Sequence, residues 1–411
     1  MAGTRNILIA LCVGLAAGIL LRWLGLTSTP AALAAPIGQL WLAGLQMTLV
    51  PLVVTMVATG IGSLRDAETR EHVVGYAIGV FAILLVVAAT IGAGTISLLL
   101  RLWPTPERAL AGLATPAATD HPAAPSIVDQ IVGLIPTNPL AAAVNSAFAP
   151  LVVFALLLGI AMGQIAPPRR AALMELLRAI ADTMMVIVGW LLWLAPLGIF
   201  ALTLRMVLTT GLAIAGLLFQ SVVLLSATLL IGIAACYLLA LIGGRIGPAR
   251  FARLAAGPQA VAAGTTSSMA TLPAMIEAAE TRLDLPPALV GAILPLAVST
   301  FRFGNVVLIS ATALFAAHAA GITPSFGAIA VACGITILTN LGVIGLPAAA
   351  VLYAAEAPAF AAIGAPIELL PLLIATSAIP DILDTTCNVT ADLAALTIVG
   401  RIARRGAKAT A

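Results

Sequence analysis

The chain has 411 residues, 62% of them hydrophobic and 9% charged, with a formal net charge of +3. A soluble domain is about 45–50% apolar and about 25% charged, so this composition excludes a water-soluble globule, and the high hydrophobicity excludes intrinsic disorder. The small net charge, with no basic patch interleaved with aromatics, also argues against a nucleic-acid partner, and the expected environment is a lipid bilayer.

A membrane span needs about 20 apolar residues. The first expected span, 6–26, starts like a signal peptide, with Arg5, an apolar run from Ile7 to Leu21 and then Ala32-Leu33-Ala34. The run reaches spanning length and closes on Arg22-Trp23 as an interfacial anchor would, so it reads as an uncleaved transmembrane helix. Further spans are expected at 38–63, 74–103, 139–166, 171–205 and 213–243. The proline-rich stretch 104–138 reads as an extended external loop. Beyond 250 the apolar segments are interrupted by small and polar residues at 264–268, 299–305, 339–345 and 381–392. Irregular backbone at membrane depth survives only where protein or a water-filled cavity satisfies it. Broken segments in two places are the usual pointer to a transporter's binding site. Strand content should be close to none. Cys12, Cys236, Cys333 and Cys387 lie far apart without a CxxC, and His72, His121 and His318 are scattered. Neither set has metal-site spacing.

Orientation follows from Lys and Arg. With the N-terminus in the cytoplasm, only Arg22, Arg101, Arg108 and Arg205 fall outside and Arg302 falls within a span. The rest of the 19 Lys and Arg fall inside, which supports both termini being cytoplasmic.

Arg302, Asp381, Asp384 and Asp392 sit deep in apolar segments. Each costs roughly 2.5–3.5 kcal/mol at a helix centre, or about 10–14 kcal/mol for the four if unpaired. They must face a polar cavity, pair, or bind ions. Asp381, Asp384/Thr385, Asn388 and Asp392 follow one another at helical spacing and form one stripe on one helix. Intramembrane charge of this kind is by default a substrate and ion pathway, the bland alternative being an ion-pair cluster with Arg302.

These residues resemble the dicarboxylate/amino acid:cation symporter family, the glutamate-transporter fold. Met47-Thr-Leu-Val-Pro-Leu-Val-Val54 resembles its second helix, and Pro136-Thr-Asn-Pro139 and Ala195-Pro-Leu-Gly-Ile-Phe-Ala201 match further segments. Ser267-Ser-Met-Ala-Thr-Leu-Pro273 is similar to the tip of a first re-entrant hairpin, and Leu341-Gly-Val-Ile-Gly-Leu-Pro347 to that of a second. The stretch from Asp381 through Leu393 is similar to the last helix. The resemblance implies an all-α polytopic membrane protein with eight transmembrane helices, two re-entrant helical hairpins and inverted repeats. It further implies a homotrimer in the bacterial cytoplasmic membrane moving a small-molecule solute by an elevator-like motion. Residues 1–73 and 139–212 would form the scaffold (helices one, two, four and five). The transport unit would comprise helix three (74–103) and residues 213–411. Substrate would meet Ser267, Ser268, Asn305, Gly342, Gly345, Asp381, Asp384, Thr385 and Asn388. Asp381 would accept a substrate ammonium, while hairpin-tip N–H groups would receive a carboxylate. A cation site, or its substitute, would involve Ser299, Arg302, Asn340, Asn388 and Asp392. No cofactor is implied beyond a coupling sodium ion or proton.

This chain departs from the family pattern where sodium is held. The family's seventh helix carries Asn-Met-Asp-Gly-Thr; here the segment reads Phe301-Arg302-Phe303-Gly304-Asn305. A Thr-Ser pair of the third helix becomes Leu84-Leu85, a hairpin-two threonine becomes Val343, and one helix-eight aspartate becomes Ser377. Sodium needs oxygen ligands, so at least one sodium site should be absent. Acidic-substrate relatives place an arginine where Asp384 stands, and an aspartate there would repel a carboxylate. The expectation is therefore a neutral or cationic amino acid, or an amine-bearing solute, moved with reduced sodium dependence. Arg302 would act as a tethered substitute for a cation. Two alternatives stand beside it: a conventional sodium- or proton-coupled symporter of acidic amino acids, and an intramembrane aspartyl hydrolase using Asp381 and Asp384. The protein is otherwise not expected to be an enzyme.

Overall fold

The structure is a computed structural model, and it describes residues 4–68, 72–105, 135–145, 147–211, 213–342 and 348–409. Among these residues every regular element is helical, as the continuous apolar runs require. The helices are α1 (Thr4–Trp23), α2 (Ser28–Glu68), α3 (His72–Leu102), α4 (Pro139–Val144), α5 (Phe148–Met162), α6 (Pro167–Trp193), α7 (Ala195–Thr210) and α8 (Ala213–Ile242). They continue with α9 (Pro248–Thr265), α10 (Ser268–Arg282), α11 (Pro287–Thr300), α12 (Phe303–Ala319), α13 (Phe326–Gly342) and α14 (Ala348–Ala362). A 3₁₀ turn (Ile367–Leu369) then leads to α15 (Leu370–Thr376) and α16 (Ala378–Ala409). Most of the expected external loop, 106–134, lies outside the described residues, as does 343–347 with Val343 and Gly345.

Among the described residues, five stretches are long and apolar enough to cross a membrane: Ser28–Thr59, Gly75–Leu102, Ala213–Ile242, Pro287–Ala319 and Ala378–Arg404. Two expected spans are interrupted. The segment 139–166 divides into α4 and α5, with Asn138 capping α4 by accepting from the backbone N–H groups of Leu140 and Ala141. The segment 171–205 divides at Leu194 into α6 and α7, bent by 61°. Pro196 in the first turn of α7 has no N–H to continue the α6 ladder, which is why the chain turns there.

The helices pack in two groups. In one, α2 lies against α5, α6 and α7, and α7 also packs on α1. In the other, α12 is surrounded by α3, α8 and α16, and the α9–α10 pair packs on α16. α12 is buried along nearly its whole length, as expected of a helix that is apolar on every side. The close approach of α3 to α12 depends on Gly92, where a Cβ would collide with the backbone carbonyl of Val307. Gly92→Ala must push the two helices apart. We expect about 1–3 kcal/mol of destabilisation, read as a lower thermal midpoint of the full-length protein in detergent; an unchanged midpoint would show that the contact is loose.

Candidate functional site

The second group of helices contains two interruptions with local causes. At the end of α9, Thr266 adopts a left-handed conformation with φ of 47°, and Ser267 caps α10 by accepting from the Ala270 N–H at 3.2 Å. The capping hydroxyl satisfies one N–H that the helix start leaves free. α9 and α10 pack against each other across this tip. The second interruption separates α11 from α12. The hydroxyls of Ser299 and Thr300 both donate to the carbonyl of Leu296 (2.9 and 2.8 Å), competing with the helical ladder. Phe301 and Arg302 then leave helical geometry.

α12 restarts beneath a side chain from α16. Asn388 Oδ1 accepts from the Gly304 N–H at 2.8 Å, and its Nδ2 donates to Asn305 Oδ1 at 2.8 Å. The same Nδ2 approaches Asp384 Oδ2 at 3.5 Å. The absence of a side chain at Gly304 is what permits this: a Cβ there would lie 2.5 Å from the Asp384 carbonyl oxygen. Asn305, Asp384, Thr385 and Asn388 are all buried.

The charges gather around this junction. Asp384 is 4% exposed and Asp392 1%, and among the described residues neither Asp384 Oδ1 nor either carboxylate oxygen of Asp392 finds a hydrogen-bond partner. Arg302, half-buried at the start of α12, is in electrostatic reach of both carboxylates. It makes no direct ion pair among the described residues. Asp381, half-buried one turn earlier on α16, is in reach of Asp384. A buried ionised carboxylate without partners costs several kcal/mol, a cost that a cation, a proton or a cationic group would offset.

Apolar side chains crowd one side of the α11–α12 break. Phe301 and Phe303 are fully buried, and Phe301 stacks on Phe81 of α3 with centroids 4.8 Å apart and planes at 16°. Phe303 closes the cluster at 6.1 Å from Phe301, and Leu84 and Leu85 are buried in the same core. Among the described residues, no group of three or more His, Cys, Asp or Glu could hold a metal. Asn305 Oδ1 and Asn388 Oδ1 each accept one hydrogen bond, whereas among the described residues Asp384 Oδ1 and both carboxylate oxygens of Asp392 accept none.

Several expected site residues therefore come together: Asn305, Asp381, Asp384, Asn388, Arg302 and Asp392. Ser267 acts as a helix cap, and Ser268 opens α10, which packs on α16. Ser299 is turned back on its own helix. Asn340 of α13 is buried and donates to the Thr336 carbonyl at 2.8 Å, leaving its Oδ1 unpartnered. Gly342 is the last residue of α13. Sequence reasoning missed two participants. Gln259 of α9 donates to the Thr390 hydroxyl of α16 at 2.9 Å. Glu356 of α14 is 3% exposed with an unpartnered Oε2, and Asp384 is in electrostatic reach of it. Glu356 was legible by the rule that singled out the aspartates, being a lone carboxylate in an alanine-rich apolar helix.

A helical membrane protein whose buried carboxylates surround a broken helix is built as a transporter rather than an enzyme. Residues 4–402 match the sodium:dicarboxylate symporter family, and the chain belongs to it. It is 25% identical to the "Proton/glutamate-aspartate symporter" of Escherichia coli (strain K12), over 90% of this chain and 85% of that protein. It is 27% identical to the "Neutral amino acid transporter B(0)" of Oryctolagus cuniculus, over 93% of this chain and 77% of the relative. The human "Neutral amino acid transporter A" is 25% identical over 96% and 81%. The hydrolase alternative falls with this assignment, since the family and these relatives are transporters.

Proposed function

We propose that the protein is a secondary active transporter of a small neutral or cationic amino acid, or a related amine-bearing solute, with weak dependence on sodium. The observation that carries this reading is Asp384, a buried carboxylate with an unpartnered oxygen beside the α11–α12 break. Such a group attracts an ammonium and repels a carboxylate. Two of the relatives carry neutral amino acid names, which agrees with it. The phenylalanine cluster at Phe81, Phe301 and Phe303 supports reduced sodium coupling, because it offers no oxygen to a hard cation.

Counting α4–α5, α6–α7 and α11–α12 as single broken spans, and α9–α10 and α13–α14 as re-entrant hairpins, yields eight spanning helices and two hairpins. In that reading α1, α2 and α4–α7 are the scaffold, and α3 with α8–α16 moves as an elevator. The packing of the helices into two groups supports this division. A homotrimer in the bacterial inner membrane, with both termini cytoplasmic, completes the proposal; the distribution of Lys and Arg supports that orientation.

The test is uptake of radiolabelled L-alanine, L-serine, L-lysine and L-glutamate into proteoliposomes, with sodium or choline outside. We expect accumulation of a neutral or cationic amino acid in choline medium. Asp384→Arg is expected to weaken that uptake by at least tenfold, about 1.4 kcal/mol, and to favour L-glutamate. Strong wild-type uptake of L-glutamate, unaltered by Asp384→Arg, would instead establish the acidic amino acid symporter that the bacterial relative's name suggests.

A further inference from the structure

The uptake reading above uses the carboxylates of α16 and leaves one buried carboxylate without a role. Glu356 lies in the middle of α14, where it is 3% exposed and, among the described residues, Oε2 has no partner. Among the described residues, the elements packed on α14 contribute no ion pair to it. α5, α13 and α15 contain no Asp, Glu, Lys, Arg or His. Glu368 of the 3₁₀ turn is exposed, and the charged residues of α6 are exposed or half-buried. On α2, Arg65, Asp66 and Glu68 stand at its C-terminal end. On α12, Arg302 stands at the N-terminal cap and half-buried His318 in the last turn. The charge that does reach Glu356 is a like one, Asp384 of α16. Two ionised carboxylates, each with an unpartnered oxygen, cannot share an apolar interior cheaply.

We propose that Glu356 is an exchangeable proton-binding site, taking a proton from water to become a neutral carboxylic acid. The neutral acid removes the repulsion and gains one O–H donor. Deprotonation returns the proton to water and restores two negative charges within electrostatic reach, one on α14 and one on α16. This rests on the transport reading for its use, the proton then being the coupling ion.

The test reads the carboxyl directly and does not depend on uptake, so its failure is separate from a failure to transport any of the amino acids tried. Infrared difference spectra of the purified full-length protein are recorded across a pH titration in water and in D₂O. The expected result is a carboxylic-acid C=O band at neutral pH that shifts in D₂O, titrates reversibly, and is lost in Glu356→Gln. Glu356→Asp should move the band's frequency without removing it, which keeps the assignment testable if the glutamine variant does not fold. Asp384→Asn should leave the band in place and change the pH at which it titrates. Sodium chloride added at constant pH should leave the band unaltered. Three results would each overturn the proposal: a band unaffected by either Glu356 variant, a band that does not exchange in D₂O, or a band displaced by sodium.

Discussion

Asn388→Ala is expected to lower the thermal midpoint of the full-length protein in detergent more than any other single polar substitution near the site. The side chain holds the start of α12 from 84 residues away, through Gly304 N–H and Asn305 Oδ1. Truncation strands a buried donor and a buried acceptor. Each costs about 1–3 kcal/mol, so about 2–6 kcal/mol in total, which approaches the whole stability of a small domain. It also frees the residues that set the position of Arg302 and Asp384. Thr386→Ala serves as the control, because the Thr386 hydroxyl only bonds back to the Ile382 carbonyl of its own helix. Equal midpoints for the two variants would show that the α12 start is held by packing alone.

Arg302→Met is expected to convert sodium-independent uptake into sodium-dependent uptake. Arg302 is the fixed cation in reach of Asp384 and Asp392, and both carboxylates keep unpartnered oxygens. Methionine leaves those negative charges uncompensated. Interactions with a charged group contribute about 1.5–3 kcal/mol, so uptake in choline medium should fall roughly 10–100-fold. Sodium should recover part of it by supplying a mobile cation where the tethered one was. Measured with whichever amino acid the wild type accumulates, a loss that sodium does not relieve would make Arg302 a structural residue. A wild type that needs sodium from the outset would remove the idea of a tethered substitute altogether.

The extent to which the site was legible differs residue by residue. Asp381, Asp384 and Asp392 stood out because an ionisable side chain in an apolar run violates local composition, and no context is needed to see it. The breaks at 266–267 and 301–302 were legible for a related reason: Ser, Thr, Asn and Gly compete with or release the helical ladder wherever they cluster. Glu356 obeyed the same rule but was not singled out. The interruptions of 139–166 and 171–205 were hidden, since hydropathy averages over a window and a single proline such as Pro196 hardly changes the average.

Composition and charge placement by themselves established a helical membrane protein with several long apolar segments and the carboxylates on its last helix, because these are sums over neighbouring residues. The tertiary structure alone decided what those groups meet. Phe81 stacks on Phe301 across 220 positions of sequence, and Asn388 caps a helix that begins at Phe303. Glu356 ends within reach of Asp384 only because α12 stands between α14 and α16 and packs on both. Such encounters depend on how helices pack, which is set by the shapes of whole faces and by the glycines that let backbones approach, and no local pattern of residues encodes it.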